Sequence, residues 1–259
     1  MNLETVGRRL YLIATTLLLY LILATDIVAE PKPSESEELK NMLVAIEKTT
    51  RATRFYTDVK TISDDVMQAL SKVNRAQFVP AYAIEDAFEN HPLRIGYGQT
   101  ISQPFIVALM THLLDIQPDD RILEIGTGSG YQAAIAAELA SQVYTVEIIS
   151  ELADSADKRL KSIGYTNILV KAGDGWYGWP EAAPFDGILV TAVAPEIPPQ
   201  LLSQLAVGGR LVMPVGHPRG NQELVLITRL SSSEISSKDI LPVRFVPMTG
   251  EGILTLRDR

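Results

Sequence analysis

Three glycines at the end of a short apolar segment have the spacing that most strongly indicates ligand chemistry. The segment RILEIGTGSG, residues 121–130, carries Gly126, Gly128 and Gly130 directly before a helix-forming stretch. Glycine has no Cβ, so such a turn can adopt positive φ and let a bulky ligand lie against bare backbone. The first amides of the following helix have no intrahelical partner and can point at that ligand. A plain strand-to-helix turn rarely needs so many glycines, and the pattern therefore predicts a site for a nucleotide-like ligand.

Two acidic residues lie at the ends of the next two predicted strands. Glu147 follows within YTVEII and Asp174 within AGDG. In open α/β sheets ligands bind outside the carboxyl ends of the strands, so both carboxylates are expected near the glycine turn. We expect Glu147 to accept the two hydroxyls of a ribose, because an idle charge in so apolar a segment would be unfavourable. We expect Asp174 to bind an adenine amino group, although its flanking glycines also allow a simple turn.

Dinucleotide binding is the main alternative for the glycine turn. The fingerprint G-x-G-x-x-G, begun at Gly126, would require a third glycine where Tyr131 stands. The looser form G-x-G-x-x-A does match from Gly128 to Ala133, but it begins inside the turn and not at the strand end. A nucleoside needs no cradle for a pyrophosphate, and acidic strand ends suit a nucleoside that carries a positive sulfonium.

The elements that must position these groups alternate between short strands and helices from residue 117 onward. Parallel strands are predicted at 121–125, 143–147, 168–172, 187–192 and 210–215. Helices are predicted between them at 131–140, 150–163 and 199–205. Two further strands, 223–230 and 242–248, are joined by a Ser-rich turn at 231–239 with no helix between them. The pattern predicts an α/β fold whose mostly parallel sheet ends in an antiparallel hairpin.

Helical periodicity also precedes this region. Amphipathic helices are predicted at 34–56, 64–73 and 105–114. Between the last two, residues 91–104 hold too many glycines and prolines for regular structure. A loop of this length before a compact domain is more often functional than idle, and this one carries Thr100 and Ser102.

The composition of the chain argues against several other chemistries. The 259 residues include no cysteine, which rules out disulfides, thiolate catalysis and zinc–thiolate sites. The three histidines, His91, His112 and His217, lie far apart without ligand spacing, so we expect no metal ion. The formal net charge is −8 and Lys and Arg do not cluster, so we expect no nucleic-acid partner.

An apolar run lies close to the N-terminus. Residues 10–24, LYLIATTLLLYLILA, follow Arg8 and Arg9. The run is shorter than the roughly 20 residues of a spanning helix, which favours a signal peptide over a marginal anchor. We expect cleavage after Ala29, while a start at Met42 would delete the run without loss of any motif above. Membrane contact is expected only through residues 10–24.

Seven segments together resemble one enzyme family. They are FVP at 78–80, GYGQTISQP at 96–104, LEIGTGSGYQAA at 123–134, GDGW at 173–176, PFDGILVTAVAPEIP at 184–198, GGRLVMPVG at 208–216 and RFVP at 244–247. This set resembles the S-adenosylmethionine-dependent methyltransferases, and within them the protein-L-isoaspartate O-methyltransferase family. The segment at 96–104 is the most specific, because other methyltransferases share the glycine turn but not this loop.

The resemblance implies a Rossmann-like methyltransferase sandwich with an N-terminal helical cap and S-adenosylmethionine as the cofactor. It implies that Ser102 is the catalytic serine and that Thr100 and Ile101 belong to the substrate loop. The residues it assigns to cofactor binding are Gly126, Gly128, Gly130, Glu147, Asp174 and Gly175. A substrate carboxylate is already ionised at neutral pH, so catalysis needs positioning and no strong general base. Ser102 would then orient the substrate by donating a hydrogen bond and would not attack it.

The implied activity is methylation of the free carboxylate of L-isoaspartyl, and by extension D-aspartyl, residues in damaged proteins and peptides, which starts repair through a succinimide. The alternatives are a small-molecule carboxyl methyltransferase, a nicotinamide-dependent oxidoreductase and an S-adenosylmethionine-binding protein without turnover. We expect a signal-like or anchor segment at 1–33, helices and the substrate loop at 34–116, and the cofactor-binding α/β domain at 117–259. Because S-adenosylmethionine is made in the cytosol, we expect a cytoplasmic protein, the alternative being export to the periplasm or membrane anchoring.

Overall fold

The computed structural model of the protein describes residues 34–257, of which residues 35–257 belong to one compact unit. The apolar run at 10–24 and the predicted cleavage after Ala29 lie outside the described residues. Among the residues that are described, no helix is long and apolar enough to cross a bilayer. The expected division of the compact unit at residue 117 stays a prediction.

Helices and strands alternate along most of the described chain. The helices are α1 (Glu35–Thr57), α2 (Asp64–Lys72), α3 (Pro104–Leu114), α4 (Tyr131–Ala137), α5 (Ser150–Ser162), α6 (Pro199–Gln204) and α7 (Glu251–Arg257). The strands are β1 (Leu93–Gly96), β2 (Gln99–Ile101), β3 (Arg121–Ile125), β4 (Gln142–Glu147), β5 (Ile168–Ala172), β6 (Phe185–Val190), β7 (Leu205–Gly216), β8 (Gln222–Arg229) and β9 (Ile235–Pro242). Short 3₁₀ helices cover Arg75–Phe78, Ala81–Asp86, Gly175–Tyr177 and Pro180–Ala182.

A seven-stranded sheet with the order β5-β4-β3-β6-β7-β8-β9 lies at the centre. Strands β3 to β7 run parallel, while β8 and β9 run antiparallel at one edge. The central strands β3 and β6 are buried on both faces, which explains why their apolar residues do not alternate with polar ones. The predicted fold class, a mostly parallel α/β sandwich with an antiparallel edge, is confirmed.

The order of the strands reverses at β3. Ile125, at the end of β3, is paired with Val146 of β4 on one side and with Val190 of β6 on the other. Chain connections leave β3 and β6 in opposite directions across the sheet, which opens a crevice at their carboxyl ends. The glycine turn follows β3 directly and therefore lies at this switch point.

Helix α3 anchors the segment that precedes it. Its residues PFIVALMTHLL are buried on nearly all sides, and Pro104 suits the first turn because that position needs no N–H donor. The helix ends at Asp115 in the left-handed conformation, with φ of 59°. A helix so firmly packed fixes the end of the predicted substrate loop.

The prediction that residues 91–104 lack regular structure is wrong. Strands β1 and β2 form a hairpin in which Leu93 pairs with Ile101 and Arg94 with Thr100. Its turn holds Tyr97 and Gly98 at φ of 52° and 75°, the positive values that a two-residue hairpin turn requires. The glycines that argued against regular structure are the residues that allow the turn.

The predicted position of the last strand is also wrong. The strand β9 occupies Ile235–Pro242, so it begins within the stretch predicted as a Ser-rich turn, and residues 243–248 lie beyond its end. Six of the eight residues of β9 are exposed, because the strand lies at the edge of the sheet. Such a strand needs little apolar surface, so its sequence carries no strand-like alternation.

Candidate active site

The glycine turn adopts the conformation that its sequence predicts. Gly126, Gly128 and Gly130 have φ values of +97°, +54° and +90°. A Cβ on Gly126 would lie 2.4 Å from Oγ1 of Thr191, so the backbone there has no room for a side chain. Gly130 instead faces Leu160 of α5, where a Cβ would lie 3.1 Å from its Cδ1. The first two glycines therefore face the crevice and the third packs against a helix.

Glu147 lies against this turn at the end of β4. One carboxylate oxygen, Oε2, accepts the N–H of Gly128 at 2.8 Å, and the other, Oε1, accepts the N–H of Ile149 at 3.0 Å. Its side chain is almost fully buried. Each carboxylate oxygen has two lone pairs, so Glu147 retains acceptor capacity for two further donors. The structure thus brings together Glu147 and the glycine turn, as the strand-end argument predicts.

A cleft runs over the carboxyl ends of the strands at this point, and we call it the glycine-turn cleft. Its walls include Gly126, Gly128, Glu147, Gly175 and Thr100. A Cβ on Gly175 would lie 2.3 Å from Cγ2 of Ile125, so this position too must be bare for β3 to pack against it.

Asp174 lies outside the lining of this cleft. Its Oδ1 accepts the N–H of Trp176 at 3.0 Å and caps the 3₁₀ helix Gly175–Tyr177, while its Oδ2 accepts the N–H of Gly252 at 3.0 Å. The carboxylate therefore ties the start of α7 to the loop after β5. The adenine contact that we expect of Asp174 stays a prediction.

The predicted substrate loop lies beside the cleft and opens onto a second depression, which we call the Ser102 groove. This groove has a volume of about 550 Å³ and is lined by Ser102, Thr100, Thr191, Thr49 and Phe245, among others. Thr100 and Thr191 line both the groove and the glycine-turn cleft. Ile101, in contrast, is buried and anchors the loop. Two ligands held in these depressions would therefore meet at one shared wall.

Thr191 is a site residue that the strand-end argument missed. Its Oγ1 donates to the carbonyl oxygens of Gly126 at 2.8 Å and Ile125 at 3.1 Å. It thus fixes the peptide that begins the glycine turn. A signal was present, because Thr191 is the first polar residue after the apolar strand β6 and the same strand-end rule applies to it.

Glu124, one residue before the end of β3, is a second residue that the sequence did not single out. Its Oε2 accepts the hydroxyl of Thr145 at 2.5 Å, and Thr145 contacts the hydroxyl of Thr127 at 2.6 Å. Its Oε1 has no hydrogen-bond partner among the described residues and borders a small cavity shared with Ser102. Burial raises the pKa of Glu124 from its ordinary value of 4.5 to about 8. The carboxyl group therefore holds its proton to a higher pH than an ordinary glutamate does.

This protonation makes the stability of the fold depend on pH. Between pH 4.5 and 8 the folded chain holds a proton on Glu124 that the unfolded chain has lost, so the free energy of unfolding falls as pH rises through this window. We expect Glu124→Gln to remove this part of the decline, which amounts to a few kcal/mol at most. Urea unfolding of both proteins at several pH values measures it. An equal decline in the two proteins would show that Glu124 is ionised in the folded state.

Comparison with solved structures defines the class of protein. The chain aligns with a solved protein-L-isoaspartate O-methyltransferase at a TM-score of 0.72, with 26% identity over 83% of this chain and 67% of that one. It also shares its fold with a putative enzyme of the same name from Plasmodium falciparum, at a TM-score of 0.66 and 23% identity over 84% of this chain and 99% of the other. The fold is that of the Rossmann-like methyltransferases.

Sequence comparison then defines the family. The profile of the family described as Protein-L-isoaspartate(D-aspartate) O-methyltransferase matches residues 48–252. A Protein-L-isoaspartate O-methyltransferase 1 from Nitrosospira multiformis is 56% identical over 185 residues, 71% of this chain and 78% of that protein. A Protein-L-isoaspartate O-methyltransferase 2 from a Polaromonas species is 50% identical over 210 residues, 81% of this chain and all of that protein. The chain belongs to the protein-L-isoaspartate O-methyltransferase family, as the seven segments predict.

Proposed function

We propose that this chain transfers the methyl group of S-adenosylmethionine to the free carboxylate of L-isoaspartyl, and also D-aspartyl, residues in damaged proteins and peptides. The observation that carries the proposal is the shared wall between the glycine-turn cleft and the Ser102 groove. A methyl transfer between two ligands requires that they be held in contact and in line. Membership of the family supplies the chemical identity of the two ligands.

The residues of the glycine-turn cleft suit S-adenosylmethionine. Gly126 and Gly128 offer bare backbone, and Gly175, which also lines the cleft, has no side chain where Ile125 packs against it. The remaining lone pairs of Glu147 are the acceptors that the two ribose hydroxyls need. When bound, the cofactor supplies a methyl group activated by a positive sulfonium. We propose that these four residues hold it, with Gly130 acting indirectly through the packing of the turn.

The Ser102 groove suits a polypeptide segment that presents a carboxylate. Its walls come from Thr49 and Thr53 of α1 on one side and from residues 241–246 on the other, so the groove is open enough for an extended chain. The substrate carboxylate is ionised at neutral pH and can react without a base. Ser102 donates a hydrogen bond that holds one carboxylate oxygen, and the loop with Thr100 screens the reacting atoms from water. The product is a neutral methyl ester, which later closes to a succinimide without the enzyme as the backbone nitrogen displaces methanol.

A pair of matched peptides tests this function. The two peptides have one sequence and differ only in an isoaspartyl or an ordinary aspartyl linkage, and each is incubated with the protein and cofactor carrying a labelled methyl group. We expect base-labile label on the isoaspartyl peptide alone. Binding of the cofactor without transfer to either peptide would instead indicate a binding protein, and label on small carboxylic acids alone would indicate a small-molecule methyltransferase. Tighter binding of a nicotinamide dinucleotide than of S-adenosylmethionine would indicate an oxidoreductase.

We also propose that the protein works in the cytoplasm, where S-adenosylmethionine is made. Mass spectrometry of the native N-terminus, together with cell fractionation, tests this. Cleavage near residue 29 and recovery from the periplasm would contradict the proposal.

A further inference from the structure

A buried arginine lies directly behind the substrate loop. Arg75, at the start of the first 3₁₀ helix, has no exposed surface. Its Nη2 donates to the carbonyl oxygens of Ser102 at 3.0 Å and His91 at 3.3 Å, and its Nη1 donates to the carbonyl oxygen of Ala87. One guanidinium thus joins three points of the chain that surround the hairpin β1–β2. It holds the peptide group of Ser102 in place.

The charge of Arg75 has no anionic partner in the described part of the chain. No ion pair joins it to a carboxylate there, and its Nε has no hydrogen-bond partner among the same residues. Its guanidinium carbon lies 5.7 Å from the centre of the Tyr131 ring, which compensates only part of the lost hydration. Burial lowers the pKa of Arg75 to about 10, so the group remains charged at neutral pH.

A buried cation without an anionic partner is unfavourable unless a negative group lies close enough to attract it. Ser102, whose carbonyl oxygen Arg75 holds, lines the groove in which the substrate carboxylate is proposed to lie. A charge of this kind acts at longer range than a hydrogen bond, because the surrounding medium is not water.

We infer that Arg75 is a positioning residue that also supplies the Ser102 groove with a fixed positive charge, so that the groove holds a carboxylate more tightly than its neutral derivative. The inference rests on the proposed function. Its consequence concerns product release, because methylation removes the negative charge and with it the attraction to Arg75. Substrate and product differ by one methyl group, and the groove distinguishes them by charge and not by size.

Arg244 is the competing source of positive charge, because it also lines the groove. It is exposed, however, and an exposed charge is screened by salt and by water. The two arginines therefore differ in a measurable way. A preference for carboxylate that comes from Arg75 survives high salt, whereas one that comes from Arg244 does not.

The experiment compares an isoaspartyl peptide with the same peptide carrying a carboxamide in place of the free carboxylate. Binding of both is measured by calorimetry with S-adenosylhomocysteine present, so that no methyl is transferred. For the wild-type protein we expect a preference for the carboxylate of at least about tenfold, retained at about 0.5 M KCl. Arg75→Met should lose most of this preference, and Arg75→Lys, which keeps the charge, should retain it.

Loss of the hydrogen bonds of Arg75 alone would weaken the binding of both peptides equally. The ratio of the two affinities therefore reports the effect of the charge. The matched control is Arg210→Met, since Arg210 also donates to a carbonyl oxygen, that of Leu113, but lies level with the start of β3. We expect this control to leave the ratio unchanged. Thermal unfolding shows whether each variant is folded. If Arg75→Met is unfolded, the salt dependence of the carboxylate preference in the wild-type protein distinguishes Arg75 from Arg244.

An unchanged affinity ratio in Arg75→Met overturns the inference. A ratio that falls in Arg244→Met instead, or a wild-type preference for the carboxylate that is lost at high salt, overturns it as well. These results leave the proposed function intact, because the wild-type protein still methylates the isoaspartyl peptide. A wild-type protein that neither binds nor methylates that peptide contradicts the proposed function itself. The two failures are therefore distinguishable.

Discussion

Replacement of Gly126 by valine is expected to abolish binding of S-adenosylmethionine and with it all methyl transfer. The φ of Gly126 is +97°, which residues with a Cβ rarely adopt. The new Cβ would lie 2.4 Å from Oγ1 of Thr191, which itself holds the carbonyl of Gly126 at 2.8 Å. Either the turn or Thr191 must move, and both form walls of the glycine-turn cleft.

The chain offers a matched control for this substitution. Gly164 has the same φ of +97°, but a Cβ there would meet nothing within 4 Å. Gly164→Val therefore suffers the same backbone strain without the collision and should lose stability but keep the cofactor. Calorimetric titration with S-adenosylhomocysteine, alongside thermal unfolding, separates the two effects. Cofactor binding that survives in Gly126→Val, or that is lost equally in both variants, would remove the glycine-turn cleft from the proposed function.

The sheet and the cleft were predictable because they follow from local patterns. The apolar runs of β3 and β6 are strands buried on both faces, and the strand-end rule then placed Glu147 beside the glycine turn. The same rule, applied to the end of β6, identifies Thr191 as well. The sequence predicts that the sheet has an antiparallel edge but not which residues form its last strand, because the exposed β9 has no apolar pattern to mark it.

Arg75 could not be found in this way. Its three acceptors lie 12, 16 and 27 residues further along the chain, and only the folded structure brings them to one guanidinium. The charge state of Glu124 is likewise invisible in sequence, since it depends on complete burial and on a single hydroxyl partner. Local pattern thus predicts that the glycine turn and Glu147 come together, whereas the burial and the hydrogen-bond partners of Arg75 and Glu124 depend on tertiary packing.

Ser102→Ala is expected to lower turnover about a hundredfold, the size of effect seen when one preorganised hydrogen-bond donor is removed from an active site. The affinity for S-adenosylmethionine should change little. Ser102 lines the substrate groove and the small cavity beside Glu124 but is not part of the wall of the glycine-turn cleft. Its peptide carbonyl is held by Arg75 independently of its side chain, so the loop should keep its position in the variant.

Steady-state kinetics with an isoaspartyl peptide, together with cofactor titration, measure the two quantities separately. Ser102→Thr keeps the hydroxyl and should recover part of the turnover, which a purely structural role of the serine would not predict. Ser71→Ala, on the exposed face of α2, serves as the control for loss of a hydroxyl elsewhere. If Ser102→Ala instead weakens cofactor binding and leaves turnover unchanged, the hydroxyl belongs to the cofactor site. The substrate carboxylate must then be oriented by other donors of the loop, of which the exposed Thr100 lies at the shared wall.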